Sequence, residues 1–182
     1  HPQLATDCYL LGTVKTSALL LHKNALIPWF ILVPDTDRNE IYKLGPDQQQ
    51  SVQSEINTLA KFTEEYFNSD KLNIASIGNI VPQLHIHIIS RKITDFCWPS
   101  PVWGKTESSE YTADQLTTIK MSLKDSGILN QTSAGTTIHH KPLPFFASQA
   151  VFLLKYHSFI STGSNNATQT SSSRSWPTDY FY

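Results

Sequence analysis

Only two cysteines, Cys8 and Cys97, occur in the 182 residues. They stand far apart and in no metal-like pair, so a disulfide framework is not indicated and a reducing compartment fits. An excess of positive charge is also missing. The formal net charge is −1, whereas a general nucleic-acid binder is usually clearly basic. A small anionic ligand remains compatible, because a few local donors suffice to hold one. No apolar run is long enough to cross a bilayer, and the stretch over 145–154 is interrupted by Ser148 and Gln149. No leader pattern is visible, which makes a cytoplasmic location the expectation. The two glycosylation-type triplets, at Asn130 and Asn166, then read as chance matches. Internal repeats are missing too.

What is present fits one domain with a full core. Apolar residues make up 40% and charged residues 16% of the chain, as in ordinary globular domains. Apolar runs over 9–14, 17–22 and 30–33 are separated by Lys15-Thr16 and by a break before Pro28. They predict an antiparallel meander with short connections. Pro46-Asp47 then opens a helix in which Val52, Ile56, Leu59 and Tyr66 recur at helical spacing, and Asn68-Ser69-Asp70 ends it. Two further strands are predicted over 72–77 and 84–90, with Gly78-Asn79 as a hairpin turn between them. A shorter helix is expected over 112–123, with Leu116, Ile119 and Leu123 inward. Residues 1–130 thus read as the folded domain. Residues 131–182 read as a polar, Ser/Thr-rich extension, whose composition does not bury enough apolar surface to offset its ordering entropy.

Chemistry concentrates in Gln83-Leu84-His85-Ile86-His87-Ile88-Ile89-Ser90-Arg91. Residues two apart on a strand share a face, so Gln83, His85 and His87 are expected on one face and Leu84, Ile86 and Ile88 on the other. Hydrogen-bonding side chains in a row on a buried strand are costly unless satisfied or used. Taken alone, the His-x-His strand has three readings. It is a half-exposed strand with surface histidines, or a pair of imidazole metal ligands, or a nucleophile beside a hydrogen-bonding partner. Imidazole suits the last role because much of it is unprotonated near neutral pH. No acidic or Cys ligand stands at a spacing that favours the metal.

The segment resembles the signature of the histidine-triad superfamily, in which three histidines alternate with apolar residues. Gln83 stands where the first histidine usually does. Pro28-Trp29-Phe30-Ile31-Leu32-Val33-Pro34 resembles the strand that precedes the family's central helix. Trp98-Pro99-Ser100-Pro101-Val102-Trp103-Gly104 resembles a loop that follows the triad in a bacterial branch. The resemblance covers roughly the first two-thirds of the chain. It implies an α+β fold, with a roughly five-stranded antiparallel sheet, one long helix and one shorter helix, paired into a homodimer. It also implies a nucleotide substrate, no cofactor and no metal.

Carried over by position, the resemblance makes His85 the nucleophile that attacks the α-phosphorus and forms a covalent nucleotidyl-imidazole. His87 then hydrogen-bonds a phosphate oxygen or the leaving group. Gln83 departs from the pattern, but its backbone carbonyl can still accept from the second nitrogen of His85 and leave the attacking nitrogen unprotonated. The implied reaction is hydrolysis or nucleotidyl transfer on a phosphoramidate or dinucleoside polyphosphate. The alternatives are a catalytically weak nucleotide-binding module and a histidine-ligated metal protein. Asn24 stands where a ribose-binding residue is expected, or is a turn residue. Asn79 would reach a phosphate or simply shape a turn. Arg91 would attract an anion or face solvent. Trp98 and Trp103 would stack on a base or leaving group, or pack in the loop or at a dimer interface. His22, His139, His140 and His157 have no patterned partners and read as surface or packing residues.

Overall fold

The computed structural model describes residues 1–130. The extension, the apolar stretch over 145–159 and His139, His140 and His157 lie outside the described residues.

Alternating apolar side chains and short turns produce five strands: β1 (Cys8–Val14), β2 (Ser17–His22), β3 (Trp29–Val33), β4 (Lys71–Ala75) and β5 (Ile86–Arg91). They form one antiparallel sheet in the order β1-β2-β3-β5-β4. The α+β fold is therefore the one the sequence implies. Two elements were not legible in the pattern, a short helix α1 (Pro2–Asp7) and a 3-10 turn at Ile41–Lys43.

The long helix α2 (Pro46–Phe67) starts at a proline, which fits the first turn because no N–H is needed there. It stops where Asn68 turns left-handed, at φ 50°, and donates its N–H back to the carbonyls of Glu64 and Glu65. The shorter helix α3 (Ala113–Asp125) opens with a capping box. Thr112 accepts from the Gln115 N–H, and the Gln115 side chain accepts from the Thr112 N–H.

One face of the sheet meets these helices. Leu19, Leu21, Phe30, Leu32, Ile86 and Ile88 pack with Val52, Ile56, Leu59, Ile119 and Leu123 in a single core. Burying each large side chain of this kind contributes about 1.5–3 kcal/mol. A bulge between Leu10 and Gly12 bends the edge strand β1. At Gly12, with φ 157°, an added Cβ would come 3.2 Å from Leu129, so the bulge and the segment just after α3 are fitted to each other.

The opposite face is covered in two patches. Leu4, Cys8, Ile31, Val33 and Val81 form one, while Ile27, Ile89, Cys97 and Val102 form the other. The histidine face of β5 lies between them. Two expectations need correction here. Residues 76–85 connect β4 to β5, so Gly78-Asn79 is not a tight hairpin turn. The strand starts at Ile86 rather than at Leu84. Pro82 offers no N–H to a ladder, and the Gln83 carbonyl is taken by a side chain.

Thr112→Ala should cost about 1 kcal/mol of unfolding free energy, the usual worth of an N-cap. Urea denaturation measures it, and an unchanged midpoint would show that the cap contributes nothing.

Candidate active site

β5 is buried along its whole length, so strand alternation divides its side chains between two interiors. Ile86 and Ile88 go to the helix side. His87 and Ile89 face the other way, with their neighbours on β3. The register pairs Ile31 with His87 and Trp29 with Ile89, which sets the Trp29 indole beside the His87 ring.

Two hydrogen bonds fix the histidines. Gln83 O lies 2.6 Å from His85 Nδ1. A carbonyl only accepts, so Nδ1 carries a proton, and in the neutral ring Nε2 keeps its lone pair. Trp29 Nε1 donates to His87 Nδ1 at 2.9 Å. An indole only donates, so His87 Nδ1 is unprotonated and the neutral ring carries its proton on Nε2. The rings meet edge to face with centroids 4.8 Å apart. At 4% and 6% exposure neither is a surface histidine, which overturns the half-exposed reading. Burial, reinforced by His85 and His22, lowers the His87 pKa to about 3. His87 is therefore a neutral donor at physiological pH.

Gln83 does not share the strand face with the histidines. It lies in a bend ahead of β5, and its side-chain oxygen accepts from the His1 nitrogen at 2.5 Å. Its contribution to the pair is its main chain.

Aromatic rings extend the site. Trp103 stands edge-on to Trp29 and His87, with centroids 5.6 and 5.5 Å away. His22 stacks on Trp29 at 4.6 Å and accepts from the Asn24 N–H through Nδ1. Burial lowers its pKa, against the opposing pull of Asp7. A pocket of about 180 Å³ opens here, lined among others by His22, Asn24, Trp29, Phe96, Trp103 and Lys105. Trp29 and Trp103 line the pocket and also contact the His87 ring, which does not itself line it. His22 and Trp29 are the site residues that motif reading passes over. Their signal lay in strand parity and in the β3–β5 register, which only pairing reveals.

Asn24 lines this pocket, but most of its amide is committed. Oδ1 accepts from the Leu26 and Ser109 N–H groups and Nδ2 donates to the Glu107 carbonyl, which leaves one amide hydrogen. Asn24 thereby pins the segment after Trp103. Trp98 has the Arg91 guanidinium over its ring at 5.6 Å. Asn79 is exposed in a bend.

Arg91 requires a correction. It neither faces solvent nor waits for an anion: it is 1% exposed. Asp95 accepts from Nε at 2.7 Å and from a terminal nitrogen at 2.9 Å, and Asn73 Oδ1 accepts at 2.8 Å. The chain turns back after β5, and the carboxylate four residues on captures the guanidinium. Burial alone would raise the Asp95 pKa, but bonds from Arg91 and from the Lys92 and Cys97 N–H groups hold it at about 2. Burial raises the Cys97 thiol and pushes Cys8 up to about 12, so neither is a thiolate near neutrality. Among the described residues no three His, Cys, Asp or Glu side chains gather as metal ligands, and no helix is long and apolar enough to cross a membrane.

A model of the HIT domain matches residues 4–94. The chain belongs to the HIT domain family. A histidine triad protein from Marinobacter aquaeolei VT8 is 41% identical, with a TM-score of 0.66 over 69% of this chain and 93% of that one. A histidine triad protein from Bradyrhizobium japonicum is 37% identical, with a TM-score of 0.67 over 69% and 95%. A bis(5'-nucleosyl)-tetraphosphatase (asymmetrical) from Schizosaccharomyces pombe is 26% identical over 102 residues. Those residues are 53% of this chain, and the chain spans 56% of that relative's length.

The Arg91–Asp95 brace makes a pH prediction. A carboxylate whose pKa is depressed on folding adds stability above its ordinary value near 3.8, and that increment disappears as pH falls towards about 2. Asp95→Ala should cost about 3–5 kcal/mol at neutral pH, as for other broken buried pairs. It should also flatten the loss of stability between about pH 4 and 2. Urea melts at pH 7 and pH 3 check both, and equal stability of the two proteins at pH 7 would remove the brace from the account.

Proposed function

We propose that residues 1–130 form a HIT-type domain that cleaves or transfers a nucleotide at its α-phosphorus through a covalent intermediate on His85 Nε2. The observation that supports this most strongly is the opposed protonation of the two rings. One presents a lone pair and the other an N–H, which are the two functions that attack on a phosphoryl group requires.

In this reading His85 Nε2 forms a bond to phosphorus as the bond from phosphorus to the leaving oxygen or nitrogen breaks. The neutral imidazole needs no general base for that attack, because with Nδ1–H bonded to the Gln83 carbonyl its Nε2 carries the lone pair. Charge gathers on the phosphoryl oxygens, and His87 Nε2–H donates to one of them. Water or another acceptor then attacks phosphorus, the Nε2–P bond breaks, and the nucleoside monophosphate or transferred nucleotide departs. Gln83 serves through its carbonyl, so the absence of a first triad histidine leaves the hold on His85 intact.

The aromatic pocket takes the base, with Trp103 as a stacking wall and the remaining Asn24 amide hydrogen facing the sugar. Trp98 and Asn79 contribute to the leaving-group side. Phosphoramidates and dinucleoside polyphosphates are the substrate classes, the latter in keeping with the tetraphosphatase relative. A cytoplasmic homodimer, with 131–182 as an appended segment, completes the reading.

Incubation with an adenylyl phosphoramidate and with a dinucleoside polyphosphate tests it. The wild type should release nucleoside monophosphate, while His85→Ala should lose at least about 10³-fold in rate, as when other enzymes lose their nucleophile. Full turnover by His85→Ala would remove the nucleophile. No turnover by either protein, with a melting temperature raised by adenosine or guanosine monophosphate, would favour a binding module instead.

A further inference from the structure

Hydrogen-bond donors to His87 are few, and the one in place is unusual. Buried ring nitrogens are commonly satisfied by carbonyls or carboxylates, which make the contacted nitrogen a donor. Here the contacted nitrogen meets an indole N–H at 2.9 Å and becomes the acceptor. Trp29 is itself held on three sides. Its backbone sits in the β3–β5 ladder opposite Ile89, His22 stacks on its ring at 4.6 Å, and Trp103 closes edge-on at 5.6 Å. It also packs with both apolar patches of this face.

We infer that Trp29 is a positioning residue that locks His87 in the Nε2–H tautomer and so makes it a permanent donor towards the nucleotide phosphate. The inference rests on the phosphoryl-transfer reading for its consequence in turnover, but the lock itself is a property of the free protein. A free imidazole interconverts between two neutral tautomers and a cation. Only one of these three forms keeps Nδ1 as an acceptor and Nε2 as a donor. The indole selects that form. Protonating His87 would set a second N–H against the Trp29 N–H, so the contact also resists the cation. The titratable groups facing His87 are His85, just ahead of β5, and His22 on β2. Both would only add positive charge, so nothing there favours an imidazolium. Trp103, on its remaining aromatic side, does not titrate.

His85 and His87 are thereby given opposite tautomers by different means. A main-chain carbonyl sets the first, which no substitution at residue 83 short of moving the backbone abolishes. A side chain sets the second, and a single substitution removes it.

The test uses the full chain and two replacements at position 29. Trp29→Phe removes the donor and shortens the ring. Replacement by β-(3-benzothienyl)alanine keeps the bicyclic shape and the stacking on His22 while exchanging the N–H for sulfur. Long-range ¹H–¹⁵N correlation of the histidine side chains reads the tautomer directly. In the wild type His87 should show one protonated nitrogen, Nε2, with no change between about pH 5 and 8. In both variants its two nitrogens should average between the neutral tautomers, while the His85 pattern persists.

Turnover of an adenylyl phosphoramidate by the benzothienyl variant should fall roughly 10-fold in kcat, less than the roughly 10²-fold or greater loss when a transition-state donor is removed outright, with KM within about twofold. An Nδ1–H tautomer in the wild type, or an unchanged His87 signature in the benzothienyl variant, would overturn the lock. A changed signature with undiminished kcat would overturn its role in turnover. Wild-type protein that shows the tautomer but turns over no nucleotide would refute the enzymatic reading and leave the lock standing.

Discussion

The pairing of β3 with β5 is the constraint on which the site depends. Its register sets Trp29 opposite Ile89 and Ile31 opposite His87. A shift by one residue would turn both histidine neighbours to the wrong face and put His87 into the α2 core. The same four-residue ladder therefore specifies the fold and the chemistry. Its apolar members, Phe30, Leu32, Ile86 and Ile88, are buried against the helices, and that burial is what holds the register.

Polar groups buried on the opposite face are expensive, and each is satisfied by a named partner. The imidazoles have a carbonyl and an indole, and Arg91 has Asp95 and Asn73. The spacing along β5 explains the division of labour. His87 and Arg91 lie on one face four residues apart, with Ile89 between them in the patch that also buries Cys97 and Val102. The brace at Arg91 anchors the turn after β5, from which the chain runs on to Trp103. Trp103 then packs on both Trp29 and His87. A cation that motif position alone assigns to substrate is thus spent on fixing the loop that walls the pocket. Asn24 acts in the same way from the other end, pinning the segment after Trp103 through its amide.

Local patterns in the sequence carried much of this. The apolar runs located β1 to β3 closely, and the α2 boundaries followed from Pro46 and from Asn68, a residue that tolerates the left-handed turn. The histidines stood out because polar residues alternating with isoleucine have few structural explanations. What was not legible depended on long-range contacts. His22 has no neighbouring motif and becomes part of the pocket only because Trp29 stacks on it. Arg91 looks like a free cation until the turn brings Asp95 back. Trp29 reads as an apolar strand residue, and only its partner across the ladder shows that its N–H has a use. Gln83 looked like a defect in a row of three. The chain breaks from extended geometry at that point, so the row does not exist.

That break bears on how much residue 83 can vary. If a histidine side chain at that position were what oriented His85, glutamine would disturb it. The orienting atom is instead the main-chain oxygen of residue 83, which every amino acid supplies. The demand falls on the backbone conformation over 81–85, where Val81 is buried with Leu4 and Ile31 and Leu84 joins the helix-side core. These two anchors, one on each face of the sheet, hold the bend that presents the carbonyl to His85. The tautomer of the neutral His85 ring is thus a consequence of apolar packing on both sides of the sheet.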